Sequence, residues 1–139
     1  MAYKATEKDK KACLLFINLI EGSKSICKAL HWQAPDLNVR DKRGAHKYLD
    51  DFHDVLSSYQ DTLAECSQGI LGVFLNPKVV KGEVKKEIKI PIELVDFLIE
   101  NTTYFIEKLP KDTIWVGIRS ETETFIKDLS KYEYLFSMV

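Results

Sequence analysis

Apolar residues recur every third or fourth position in four separate stretches of the chain. Ala12, Leu15, Phe16, Leu19, Ser23, Ile26 and Leu30 trace one helical stripe, which predicts a first amphipathic helix over roughly Glu7 to Trp32 despite Gly22. Pro35 stops it, and the polar segment Asp36 to Gly44 leads into a second helix. There Ala45, Leu49, Phe52, Leu56, Tyr59 and Leu63 alternate by four and three, to about Leu71. Asn76-Pro77 and Gly82 mark a loop, and Glu83 to Ile90 alternates well enough to be briefly extended before Pro91 opens a third helix. The third stripe is Val95, Leu98, Ile99, Thr102, Phe105 and Ile106. After a turn at Pro110 the fourth is Ile118, Thr122, Phe125, Leu129, Tyr132 and Phe136.

Four apolar stripes predict an all-α four-helix bundle. The turn at Pro110 is too short to cross such a bundle, so the third and fourth helices are antiparallel neighbours. The roughly 18 residues from Phe74 to Pro91 can reach about 60 Å when extended, against about 40 Å for the second helix, so a lengthwise crossover is allowed there. At 139 residues the whole chain, 1–139, reads as one domain. With 45% hydrophobic residues, 29% charged residues and a net charge of −1, its composition is that of a soluble globular protein with no strong electrostatic partner. No stretch reaches the roughly 18 apolar residues of a membrane span. Glu7 and Asp9 interrupt the basic start, so no secretory signal is expected. Cys13, Cys27 and Cys66 form no disulfide framework, which points to a reducing, cytoplasmic setting. Cys13 and Cys27 read as buried small apolar residues.

The chemistry gathers at His31 and Trp32, closing the first helix, and at His46, Asp50, Asp61 and Glu65 along the second. Imidazole nitrogen with carboxylate oxygen suits iron, manganese or zinc and leaves coordination positions open. At about 100° per residue the four second-helix residues fall within an arc of roughly 100°, centred about 150° from the apolar stripe. This face points away from the core, and no Glu-x-x-His pair, the usual intrabundle iron motif, occurs. A second copy can supply the missing ligands. If two such helices cross antiparallel about a two-fold axis near residues 55 and 56, His46 and Asp50 face Asp61 and Glu65 of the other copy. The two sites then lie about 22 Å apart. His53 falls near the same face and reads as a surface residue, and Trp32 as a residue packing at the helix end.

The run His31-Trp32, then HKYLD, then DTLAE after a fixed interval resembles the signature of the ferritin-like mini-ferritins of the DNA-protection-during-starvation (Dps) family, and the closing SKYEYLF is similar to that family's last helix. The resemblance implies a ferritin-like bundle with one long crossover. It also implies a mono- or di-iron ferroxidase centre to which one subunit gives His31, His46 and Asp50 and its mate gives Asp61 and Glu65, with Trp32 beside the metal as a catalytic redox residue. Implied as well are Fe(II) oxidation, preferably by hydrogen peroxide, and a homo-oligomer formed through the second helix, a dimer at least and in the family a dodecamer. The chain departs from that pattern in a longer loop before His46, in Lys47, in Cys66 and in a short link before the third helix. The longer loop and Lys47 favour a ferritin-like shell or assembly protein, of viral origin for example, with little or no turnover. The lysines at 4, 8, 10 and 11 leave weak DNA binding, or a DNA-compacting protein, as a third reading, diluted by Glu7 and Asp9.

Overall fold

Thr6 begins the first helix by a reciprocal cap: its hydroxyl accepts from the Asp9 amide (3.1 Å) and its own amide donates to the Asp9 carboxylate (3.1 Å). The computed structural model describes residues 4–72 and 75–139, and in it α1 spans Glu7–Trp32, α2 Lys42–Leu71, α3 Pro91–Lys108 and α4 Val116–Ser137. Single 3-10 turns at Ala34–Asp36 and Thr113–Trp115 lead into α2 and α4. The Asp41 carboxylate caps α2 by accepting from the Gly44 amide (2.9 Å). Gly72 ends it at φ 66°, a left-handed conformation that costs glycine no Cβ clash. Pro91 sits where its missing N–H costs nothing, and the Glu93 carboxylate reaches back to the Ile90 amide at 3.1 Å.

Each helix packs against two others, in the cyclic order α1, α2, α4, α3, around one apolar interior. Among the described residues there is no strand. Phe16 stacks on Phe105 at 4.2 Å and Tyr59 on Phe125 at 4.0 Å, while Phe52 lies 4.9 Å from Tyr132, ring centre to ring centre. The Tyr59 hydroxyl is paired with Thr122 at 2.8 Å, so this buried ring hides no unsatisfied polar atom. The far end of the bundle is closed by Ala34, Leu37 and Val139, all buried, and the Asp41 amide donates to the Val139 carbonyl at 2.7 Å.

The expected connection begins at Phe74, which lies outside the described residues. From Leu75 onward it borders α1. Val79 shares a pocket with Glu7 and Leu14, and Asn18 holds the segment three ways: its Nδ2 donates to the Val79 carbonyl (3.2 Å), its Oδ1 accepts from the Lys81 amide (2.9 Å) and its carbonyl accepts from the Glu83 amide (3.3 Å). Pro91 then lies beside Val39, Phe136 and Val139. Residues 83–90 form no ladder: the Glu83 amide donates to the Asn18 carbonyl of α1, and the Lys89 and Ile90 amides donate to the Glu93 carboxylate of α3 instead of to a second strand.

Gly22 is where the connection touches α1: an added Cβ would lie 2.9 Å from the Glu83 nitrogen and 2.9 Å from a Val84 methyl. Gly22→Ala gains about 1 kcal/mol of helix propensity but forces the segment off the helix, and the expected net result is a loss of about 1–3 kcal/mol. At Gly69 an added Cβ meets nothing within 4 Å, so Gly69→Ala is expected to gain about 0.5–1 kcal/mol. Urea unfolding of the two variants checks the pair. A stabilising Gly22→Ala would contradict the close contact.

Candidate functional site

The seam between α1 and α2 sets the site. The two helices run antiparallel, and polar contacts fix their register at three levels. Lys24 Nζ donates to the Gln60 side-chain oxygen (2.9 Å), and Gln60 Nε2 donates to the Glu21 carboxylate (2.7 Å). One turn further on, the buried Cys27 thiol donates to the Leu49 carbonyl at 3.2 Å. At the top, His31 Nδ1 lies 2.9 Å from the His46 carbonyl oxygen. A carbonyl only accepts, so Nδ1 carries the proton, and in neutral imidazole the Nε2 lone pair is left free for a ligand. The two imidazole rings stack with centres 3.9 Å apart and planes 27° apart. An N–H anchored on a backbone carbonyl is the usual outer support of a metal-binding histidine.

The two faces of α2 divide as the spacing predicts. Ala45, Leu49, Phe52, Leu56, Tyr59 and Leu63 are buried, whereas His46, Asp50, Asp61 and Glu65 are all exposed. Among the described residues none of the three carboxylates is in an ion pair. The structure brings His31 and His46 into contact. It does not add Asp50, Asp61 or Glu65 to them within one chain: among the described residues no three His, Cys, Asp or Glu side chains converge as a metal-holding group. The donor set of one chain therefore fits a metal only in part, with two imidazoles and no converging carboxylate.

Trp32 is 71% exposed and does not pack at the helix end as expected, because Ala34 and Leu37 fill that end of the core instead. Its indole stands in solvent next in sequence to the histidine pair. Cys13 and Cys27 are buried as expected, and burial pushes both thiols up to about 12, which makes them inert at neutral pH. Cys66 is exposed.

Two groups near the face were not singled out in the sequence. A cavity of about 350 Å³ beside His46 is lined by Ala34, Pro35, Lys42 and Arg43, and Lys42 Nζ donates to the Leu37 and Val39 carbonyls (2.8 and 3.2 Å), pinning the loop after α1. A second cavity of about 340 Å³ between α2 and α4 carries Asp54, Glu121 and Asp128. Helical spacing places Lys42 and Asp54 on a face but gives no sign of which neighbour each meets.

His53 is half-buried against α1. Burial first, then the ammonium groups of Lys28 and Lys24, lower its pKa, with Asp54 and Asp50 opposing. The unfolded chain takes a proton here more readily than the folded one. The resulting stability is fully present above about pH 6.5 and is lost as pH falls below it. His53→Gln is expected to flatten this part of the pH dependence, read from urea midpoints between about pH 8 and pH 5. An unchanged slope would mean that His53 is not the group responsible.

Compared with protein-family models, with curated protein sequences and with solved structures, the chain matches none.

Proposed function

We propose that this chain is a ferritin-like subunit of the mini-ferritin kind, which takes up Fe(II) at sites completed by two copies and oxidises it with hydrogen peroxide. The observation that carries the reading is the pairing of His31, in the last turn of α1, with His46 on the exposed face of α2, with His31 anchored through Nδ1 so that Nε2 is free. His31 and His46 are the nitrogen ligands and Asp50, one turn beyond His46, a carboxylate ligand of the same chain. Asp61 and Glu65 come from the second copy, whose α2 crosses the first antiparallel. This pairing answers the geometry of the single chain, in which carboxylates and imidazoles share one face without meeting. It also brings the exposed carboxylates of each α2 next to the counter-charge of bound metal.

In the reaction each of two Fe(II) ions gives up one electron. The two electrons break the O–O bond of one hydrogen peroxide, which takes up two protons and leaves as two waters, so no hydroxyl radical is released. Nitrogen and carboxylate ligands hold the ions and favour the higher charge of Fe(III). Trp32, exposed beside His31, supplies one electron where only one Fe(II) is bound. The ferritin-like crossover belongs to the same reading and is supported by the contacts of the connection with Asn18 and Gly22 of α1 and of Pro91 with the opposite end.

A second reading, a ferritin-like shell or assembly protein without turnover, is favoured by the basic lining of the cavity beside His46, where Lys42 and Arg43 stand against a cation. Anaerobic titration with Fe(II), followed by peroxide, separates the two. The ferroxidase reading expects saturation at about one or two Fe(II) per chain and oxidation at once on peroxide addition. A chain that assembles but retains no Fe(II) on a desalting column would leave only the shell.

A further inference from the structure

Away from the histidine pair, α1 and α3 form a groove whose contents the iron reading does not use. Its floor is the stacked pair Phe16 and Phe105, both buried. Leu15 and Tyr104 stand 58% and 59% exposed beside it, and Leu19 continues the apolar lining. Single exposed apolar residues are ordinary in a folded protein, but these share one concave surface enclosing about 490 Å³, within the roughly 300–1,000 Å³ of small-ligand sites.

The charged groups of the groove are one-sided, and the one other polar side chain of its lining besides the Tyr104 hydroxyl, Asn101, turns its Nδ2 onto the Phe97 carbonyl of its own helix at 2.8 Å. The charged residues are Lys8, Lys11 and Lys108, with no carboxylate in the lining. Lys8 and Lys11 belong to the first turns of α1 and Lys108 to the last residue of α3, so all three lie at one end. Among the described residues none of them is in an ion pair, whereas neighbouring Lys10 pairs with Glu7 at 3.3 Å. Lys8 and Lys11 are like charges three residues apart, an arrangement that weakens a helix unless an anion intervenes. Lys108 Nζ is held 4.5 Å from the centre of the Tyr104 ring, at the edge of the apolar floor. From Lys8 to Leu19 the groove follows α1 for about 17 Å, and beyond it the connection sits on Gly22.

We propose that this groove binds the free anion of a long-chain fatty acid, one per chain. The carboxylate lies among Lys8, Lys11 and Lys108, and the hydrocarbon chain runs over Phe16 and Phe105 toward Leu19. Charge at one end and apolar surface along the rest match an amphiphile with a single anionic head. An acidic amphipathic helix would call for positive charge along its whole length, and a membrane surface for a flat basic patch. The proposal is independent of the metal site.

Isothermal titration of the intact protein with tetradecanoate, below its micelle concentration, tests it. Saturable binding of one molecule per chain is expected. The double variant Lys8→Glu, Lys108→Glu is expected to weaken it about tenfold or more. Leu15→Asp, which places a carboxylate along the path of the chain, is expected to do the same. All three positions are exposed, and circular dichroism checks that the helices persist. Tetradecyltrimethylammonium, with the same tail and a cationic head, is expected to bind about tenfold more weakly. Absence of saturation, unchanged affinity in both variants, or equal binding of the cationic amphiphile would overturn the assignment. So would a preference for phosphatidylserine vesicles, or for an acidic amphipathic peptide, over the free carboxylate.

Discussion

His46→Ala is expected to slow peroxide-driven Fe(II) oxidation by about a hundredfold or more while changing stability by no more than about 0.5 kcal/mol. The ring is exposed and lies on the side of α2 opposite Leu49, Phe52 and Leu56, so its loss leaves the core untouched. It also removes one of the two stacked imidazoles, while the backbone carbonyl that anchors His31 remains. The effect therefore isolates ligation from positioning. Stopped-flow absorbance after peroxide addition reads the rate, and urea unfolding reads the fold. Wild-type oxidation by a well-folded His46→Ala protein would remove His46 from the ligand set.

Phe52→Ala is expected to lower stability by about 3–5 kcal/mol, the cost of a cavity where a fully buried ring stood. Phe52 packs against Tyr132 at 4.9 Å and Phe136 at 5.9 Å and ties α2 to α4. The same contact fixes which way α2 faces, and so which residues it presents outward. Phe52→Leu keeps most of the volume and is expected to cost less than about 1.5 kcal/mol. Urea midpoints at a common slope check both values. A loss under about 1.5 kcal/mol for the alanine variant would mean that the α2–α4 contact repacks freely.

Four helices were legible because their stripes are long and their ends carry ordinary signals: Pro91 opens α3, and α1 and α2 end at Trp32 and Leu71 as the pattern predicts. The start of α2 at Lys42 was less so, since its first turn is polar and its cap, Asp41, lay inside a stretch of similar residues. Pro35 was read as a stop, and in the structure it sits within a 3-10 turn that sends Ala34 and Leu37, and not Trp32, into the end of the core. Which face of α2 is exposed follows from the wheel alone. The stacking of His31 on His46 does not, because it depends on the register of two helices set by distant contacts such as Lys24 with Gln60. The wheel likewise places Asp50 near His46 without saying whether the carboxylate joins the imidazoles, and in one chain it does not.

The iron site proposed here takes ligands from two copies, and refolding of mixed variants is the measurement that bears on that sharing. His46→Ala and Asp61→Ala proteins, each inactive alone, are unfolded together and refolded in equal amounts. In a mixed dimer one site carries both lesions, and the other takes His46 from one chain and Asp61 from its partner. Random pairing makes about half of the dimers mixed, so about a quarter of wild-type oxidation is expected to return. No recovery, with mixed dimers confirmed by mass spectrometry, would place Asp61 outside the partner's site and contradict the shared arrangement.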